Sequence, residues 1–171
     1  MTDCLVWLDV RNNMRLNTLI RRVERLQGEL VPAVKEACVK REKWIVAANR
    51  EQLGEGLNAD GVLMNNGEYS PYHLFRRMRR GLPVRHVYLD FEGDLQAGMF
   101  VEFGETGFSV RTTDWKQELV DYVMETGHWP PGNKPEYGPV FGLTAEKKGE
   151  LARLIAPSVA GKIRNRLRSG R

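Results

Sequence analysis

Residues 99–112 read MFVEFGETGFSVRT, a pattern that predicts a β-hairpin. Two runs of aromatic and β-branched residues, MFVEF and FSVRT, are separated by GETG, and a short Gly-containing link between two such runs is typical of an antiparallel turn. A third run of similar composition, HVYLDF, lies upstream at 86–91. We therefore expect residues 84–127 to contain a small antiparallel β-sheet together with short helices.

Helical patterns precede this sheet. Between residues 14 and 53 the apolar residues recur at the helical period. They predict one helix that ends at Gly28 and a second that begins around Pro32 and runs to about Gln52. The first part of the chain is therefore expected to be a helical region.

Helical patterns also follow the sheet. A helix over 115–126 is expected to pack through an apolar face made of Trp115, Leu119, Tyr122 and Val123. Thr144 is a suitable N-cap for a last helix over 144–169, which ends in a basic tail.

Two segments are rich in residues that break helices and strands. Residues 54–71 collect Gly, Asn, Asp and Pro and predict an extended loop, which is followed by a short basic helix at PYHLFRRMRR. Residues 128–139 contain four prolines and two glycines and predict a Pro-rich surface arm. The expected fold class is α+β in a single domain over 1–171, with N-terminal helices, a small antiparallel sheet and a C-terminal helix packed on that sheet.

Bulk properties exclude several classes of protein. A chain of 171 residues with 42% apolar content fits one globular domain. We expect neither a signal peptide nor a membrane span, because the N-terminus is acidic and no apolar run reaches about 18 residues. Cys4 and Cys38 lie far apart and outside any CxxC or Cys/His cluster, so we expect no disulfide framework and no zinc site.

Charged residues are segregated into blocks of one sign, although the net charge is only +4. Residues 76–85 hold five arginines and no acid, and residues 151–171 hold six basic residues and no acid. Residues 86–110 hold five acids and no Lys or Arg. Such blocks suit contacts between surfaces of opposite charge.

A carboxylate cluster is the sharpest candidate for chemistry. Asp90, Glu92 and Asp94 alternate within LDFEGDL, and alternation on a strand places them on one face, where they could hold a divalent ion. Asp94 with Asp114 and Lys116 also mimics the acid and acid-x-Lys pattern of metal-dependent nucleases. That pattern is short, and Asp114 stands where a helix N-cap belongs. We therefore expect no catalytic residue, no metal and no cofactor.

Four strings, taken in order, resemble those of phage tail-completion or neck proteins of the virion morphogenesis type. They are EQLGEGLNADGVLM followed by YSP (51–71), LDFEGDLQAGMFVEF (89–103), FSVRTTDWKQELVDYVMETG (108–127) and VFGLTAEKKGELARLIAPSVAGKIRNRL (140–167). The resemblance spans about residues 14–167. It implies that Gly93 permits a bend from strand to short helix and that Asp94 caps this helix, with no metal there.

The resemblance implies a non-enzymatic virion component of the neck, made in the host cytoplasm. Its partners would be further copies of itself in a six-fold ring, or alternatively a twelve-fold one, the portal, connector or head-closure proteins, and the tail terminator or tail tube. DNA would at most pass through the ring, and no membrane is expected. The alternative is a DNA-binding or DNA-processing accessory protein that uses the arginine-rich blocks.

The charge blocks suggest where copies would meet, with the acid-rich segment of one copy facing an arginine-rich block of the next. Blocks of this kind suit head-to-tail contacts, which close into rings. The expected contact residues, with partners or between subunits, are Arg76, Arg77, Arg79, Arg80, Glu102, Glu105, Trp129, Tyr137, Arg164 and Arg168.

Overall fold

The computed structural model describes residues 20, 21, 23–26, 28–89, 94–113, 117–126 and 137–169. Its helices, its two-stranded antiparallel sheet and its long C-terminal helix confirm the α+β class. None of the described helices combines the length and apolar character of a membrane-spanning helix. In chain order the elements are α1 (28–39), α2 (Glu42–Gly54), a 3-10 helix (Met64–Gly67), α3 (Pro71–Arg79), α4 (Asp94–Ala97), β1 (Met99–Phe103), β2 (Phe108–Thr112), α5 (Gln117–Thr126) and α6 (Ala145–Ser169).

The chain divides into two compact units. The first unit joins Met1–Cys38 with Ile155–Arg171, and the second is Val39–Leu154. Helix α6 belongs to both units, since the boundary falls inside it.

The described part of the first unit is a pair of helices. Ala33 and Ala37 of α1 are buried with Val159 of α6, and three partly buried side chains complete this small core: Val34, Ile155 and Ile163. Ion pairs join Glu36 to Lys162 and Glu29 to Arg166, the latter at 3.1 Å. The two helices run antiparallel, because Glu29, the earlier of the two acids on α1, pairs with Arg166, the later of the two bases on α6.

The helical region does not break where the sequence predicts. Residues 20, 21 and 23–26 are helical as well as 28–39, so Gly28 does not end a helix and Pro32 does not begin one. A glycine inside a helix costs only about 1 kcal/mol relative to alanine, which packing against α6 offsets. The break lies instead at Lys40 and Arg41, and Arg41 has a non-helical φ of −111° and ψ of 12°.

Helix α2 forms the centre of the second unit. Its Ile45 and Leu53 are fully buried, as are other large side chains of the unit, namely Met64, Val87, Val140 and Leu143. Two buried amides on α2 hold the segment before α6. Asn49 Nδ2 and Gln52 Nε2 donate to the carbonyl of Gly142 at 2.7 and 3.1 Å.

The sheet is the hairpin that the sequence predicts, reduced to two strands. Met99 pairs with Thr112, and Phe103 pairs with Phe108. The expected third strand is absent from residues 86–89, because the backbone N–H and C=O of Tyr88 bond the Tyr69 hydroxyl and not a neighbouring strand. The principal helical neighbours of the sheet are α2 and α4.

Residues 54–71 are folded closely onto the unit and do not form the extended loop that was expected. Leu57 and Leu63 form an antiparallel bridge, and Met64 is fully buried. The side chain of Asn58 organises the turn, since its Oδ1 accepts from the N–H groups of Asp60 and Val62. An Asn side chain that replaces backbone partners lets such a polar segment turn tightly.

The last two helices confirm some expected details and correct others. Thr144 caps α6 by accepting from the N–H of Lys147 at 3.3 Å. Among the described side chains of α5, Val120 is buried, whereas Tyr122, expected on the packed face, is exposed. Trp115, Gly127 and residues 128–136 of the expected arm lie outside the described residues, as do the side chains of Leu119 and Val123.

Candidate protein-interaction surface

Helix α3 is built from local signals that fix both of its ends. The Ser70 hydroxyl accepts from the N–H of His73 at 3.4 Å, and Pro71 occupies the first turn, where its missing N–H costs nothing. Gly81, with a φ of +65°, follows the last turn, and the N–H of Leu82 bonds back to the carbonyl of Arg77 at 3.0 Å. The helix is therefore held in a defined place on the second unit.

Arg77 faces inward and fixes the rotation of α3. Its Nε donates to the Pro83 carbonyl at 2.8 Å, and its guanidinium lies 5.0 and 5.2 Å from the ring centroids of Tyr69 and Tyr88. The residue is only 2% exposed. Arg77, which was expected to be a surface contact residue, is therefore not available to a partner. Its guanidinium stacks on two rings and bonds the backbone of its own chain.

The outer face of α3 presents large apolar side chains to solvent. Tyr72, Phe75 and Met78 are 64%, 60% and 63% exposed. Two arginines lie over these rings, Arg76 over Tyr72 at 5.7 Å and Arg79 over Phe75 at 5.8 Å. We call these five residues, together with the adjacent exposed Arg80, the α3 surface.

The composition of the α3 surface points to a protein partner. Tyr, Phe, Met and Arg are the residue types enriched in the buried centres of protein interfaces, and Tyr and Arg are frequent hot spots. Binding to the phosphate backbone of a nucleic acid would use the arginines but would not explain why Phe75 and Met78 are exposed beside them. The cations stacked on rings are also partly ordered before binding, which lowers the entropy lost on association.

The other expected contact residues lie on elements other than α3. Glu102 is exposed and pairs with Arg111 at 3.2 Å, Glu105 is exposed in the hairpin turn, and Arg164 is exposed on α6. Tyr137 is half-buried, and burial raises the pKa of its phenol. Trp129 and the side chain of Arg168 lie outside the described residues.

The sequence reasoning identified the arginines of α3 but missed the aromatic and Met side chains between them. The signal was present, because Tyr72, Phe75 and Met78 are spaced three residues apart and so share a helix face. What the sequence does not state is which face is buried. Here the buried cation is Arg77, a position that composition alone would assign to solvent.

Little of the expected carboxylate chemistry falls on described residues. Asp90, Glu92, Asp114 and Lys116 lie outside them, as does the side chain of Asp94, the first residue of α4. Among the side chains that are described, no group of three or more His, Cys, Asp or Glu could hold a metal ion. Cys38 is buried, which raises the pKa of its thiol.

No protein-family model, no curated protein and no solved structure matches this chain.

Proposed function

We propose that this protein is a structural subunit of the neck of a tailed-phage virion and joins the head to the tail as part of a ring. The ordered resemblance of its sequence strings to tail-completion and neck proteins supports this role. Its work would be to present surfaces to further copies and to the proteins above and below, without catalysis. It would be found in the virion, and in the host cytoplasm during assembly.

The α3 surface is the observation that carries the proposal. Three large apolar side chains are each about 60% or more exposed on one helix face, next to arginines stacked on two of them. Exposed apolar clusters rimmed by polar groups mark interaction sites. Because Arg77 anchors the helix from behind, the surface is presented in a fixed orientation, as repeated contacts in a ring require.

A DNA-binding accessory role is the second candidate. It is favoured by the exposure of Arg76, Arg79, Arg80 and Arg85 along one stretch of chain. Binding of this kind releases counterions and therefore weakens steeply with salt, whatever the sequence of the DNA. It predicts that loss of Phe75 would matter little and that loss of the arginines would matter most.

Purified virions provide the test of the neck role. A prophage that carries the gene is induced, particles are purified, and peptides of this protein are sought by mass spectrometry in whole particles, free heads and free tails. We expect the protein in whole particles, and we expect separate heads and tails when the gene is deleted. Intact particles from the deletion strain would contradict the proposal.

A paired substitution tests the surface itself. The double variant Tyr72→Ser/Phe75→Ser should lower incorporation into particles at least about tenfold, since interface aromatics are typically worth 1–2 kcal/mol or more each. Val62→Ser is the matched control, because Val62 is 58% exposed in another part of the unit. Equal incorporation of both variants would show that the α3 surface has no part in assembly.

A further inference from the structure

A second surface lies on α5, and it is acidic. Four exposed residues, Glu118, Asp121, Tyr122 and Glu125, fall within about 100° of the helix circumference, given 3.6 residues per turn. Val120, which is buried, lies on the opposite side. The apolar pattern of the sequence predicts Tyr122 on the packed face and so gives no sign of this surface.

The α5 acids and the hairpin acids form one continuous surface through Arg111. Its guanidinium bonds Glu102 at 3.2 Å and Asp121 at 3.3 Å, which ties β1 and α5 to β2. Phe100 is the cross-strand partner of Arg111 and is 37% exposed, and Tyr122 is 44% exposed. The hairpin turn adds Glu105, also exposed. We call these residues the hairpin–α5 surface.

The two surfaces are complementary in charge and in apolar content. The described residues of the hairpin–α5 surface carry five carboxylates and one arginine, for a net charge of −4. The α3 surface carries three arginines and no acid, for a net charge of +3. Each surface also exposes aromatic rings, Phe100 and Tyr122 on one and Tyr72 and Phe75 on the other.

We infer that the α3 surface of one copy docks on the hairpin–α5 surface of a second copy. This inference rests on the proposed ring, for which it names the partner of the α3 surface. Because the two patches differ, the contact is head-to-tail: the first copy keeps its hairpin–α5 surface and the second its α3 surface for the next neighbours. The charges set register and encounter rate, while the rings, which lose solvent on contact, supply the apolar burial.

Charge exchange between copies tests this contact. Each variant is followed by sedimentation over a range of concentrations and salt, with circular dichroism to verify folding. The basic-reversed variant carries Arg76→Glu, Arg79→Glu and Arg80→Glu. The acid-reversed variant carries Glu105→Lys, Glu118→Lys and Glu125→Lys, which leaves the partners of Arg111 intact. The control reverses three exposed cations elsewhere in the second unit with Lys43→Glu, Lys148→Glu and Arg153→Glu.

The expected results differ sharply among the samples. Each reversed variant alone should associate about 100-fold more weakly than the wild-type chain, since three attractive pairs become repulsive. An equimolar mixture of the two should recover association, because every α3 surface again meets a surface of opposite sign. The control should associate as the wild type does. Raising the salt should weaken wild-type association, since exposed charges are screened within about 8 Å at physiological ionic strength.

Several outcomes would overturn the inference. A mixture that fails to recover, although both variants are folded, would exclude this pair of surfaces, and so would a wild-type chain that remains monomeric at every concentration. Binding of the α3 surface to duplex DNA or to anionic vesicles, lost in the basic-reversed variant, with no self-association, would assign it to a different partner.

This result is independent of the test of the neck role. Self-association that is restored in the mixture, together with absence of the protein from virions, would uphold the contact and reject the neck. Presence of the protein in virions, together with a mixture that does not recover association, would uphold the neck role and reject the contact.

Discussion

The backbone N–H of Thr144 donates a 2.9 Å hydrogen bond to Oε1 of Gln52, although 92 residues separate the two in sequence. The side-chain amide of Gln52 also donates through Nε2 to the carbonyl of Gly142, so Gln52 bonds the chain on both sides of the buried Leu143. Thr144 then caps α6. One side chain of α2 thereby fixes the point at which α6 begins.

Gln52→Leu should destabilise the second unit by about 2–3 kcal/mol. Leucine keeps most of the volume but leaves the partly buried Thr144 N–H without its acceptor, and an unsatisfied buried group costs about 1–3 kcal/mol. Urea unfolding gives the difference. Glu55→Gln, an exposed change next to the end of α2, should stay within about 0.5 kcal/mol. Equal stabilities would show that Gln52 does not fix the start of α6.

Arg77→Lys should cost about 2–3 kcal/mol, whereas Arg76→Lys should cost less than about 0.5 kcal/mol. A lysine has no planar guanidinium to stack between two tyrosines, and it cannot hold the directional bond from Nε to Pro83. Arg76 contacts the Tyr72 ring at the surface, where a lysine keeps the positive charge and a side chain of similar length. Thermal unfolding of the two variants is the measurement, and similar melting temperatures would contradict the buried role of Arg77.

The contrast between these neighbouring arginines shows how far sequence reasoning reaches. The spacing of apolar residues and the signals at Ser70 and Gly81 predict that α3 exists. They do not predict its rotation, because the tyrosines that surround Arg77 come from a loop and from a segment that resembles a strand. The hairpin was predictable because its signal is local, whereas the partner of HVYLDF is a tyrosine hydroxyl 19 residues away from Tyr88.

The hairpin–α5 surface was unpredictable for a related reason. The spacing of apolar residues on α5 is compatible with burial of either of two faces, and the sequence pattern places Tyr122 on the buried one. Burial of Val120 and the bond from Arg111 to Asp121 decide between them, and both depend on where the hairpin lies. In the same way, sequence reasoning ended the first helix at Gly28 because the packing of Ala33 and Ala37 against α6 is not visible in the sequence.

Tyr69→Phe should cost about 1–3 kcal/mol at pH 8, because the hydroxyl that serves both the N–H and the C=O of Tyr88 is lost. Burial raises the pKa of Tyr69, although the hydrogen bond with the Tyr88 backbone and the charge of Arg77 counter part of that rise. A raised pKa in the folded state stabilises the fold below the ordinary tyrosine pKa of about 10, and this stabilisation is lost as pH increases through the folded-state pKa.

The difference between wild type and Tyr69→Phe should therefore shrink above about pH 10. Urea unfolding of both proteins at pH 8 and at pH 10.5 measures this difference. A difference that is constant across this range would show that the Tyr69 phenol has no raised pKa in the folded protein.

Gly56→Ala should destabilise the second unit by more than about 2 kcal/mol, since two costs combine. Gly56 has a φ of +79°, which an L-residue adopts at a cost of about 1–2 kcal/mol. A Cβ there would also lie 2.8 Å from Cδ2 of His86 and 2.9 Å from the carbonyl oxygen of Val87, so it would press on backbone that cannot easily move. Gly149→Ala is the matched control within α6, because its Cβ would meet only the end of Arg153 at 3.9 Å, and it should stabilise the unit by about 0.5–1 kcal/mol. Urea unfolding of both variants should give shifts of opposite sign. A Gly56→Ala protein as stable as the wild type would mean that the segment over 54–71 is not held against His86 and Val87.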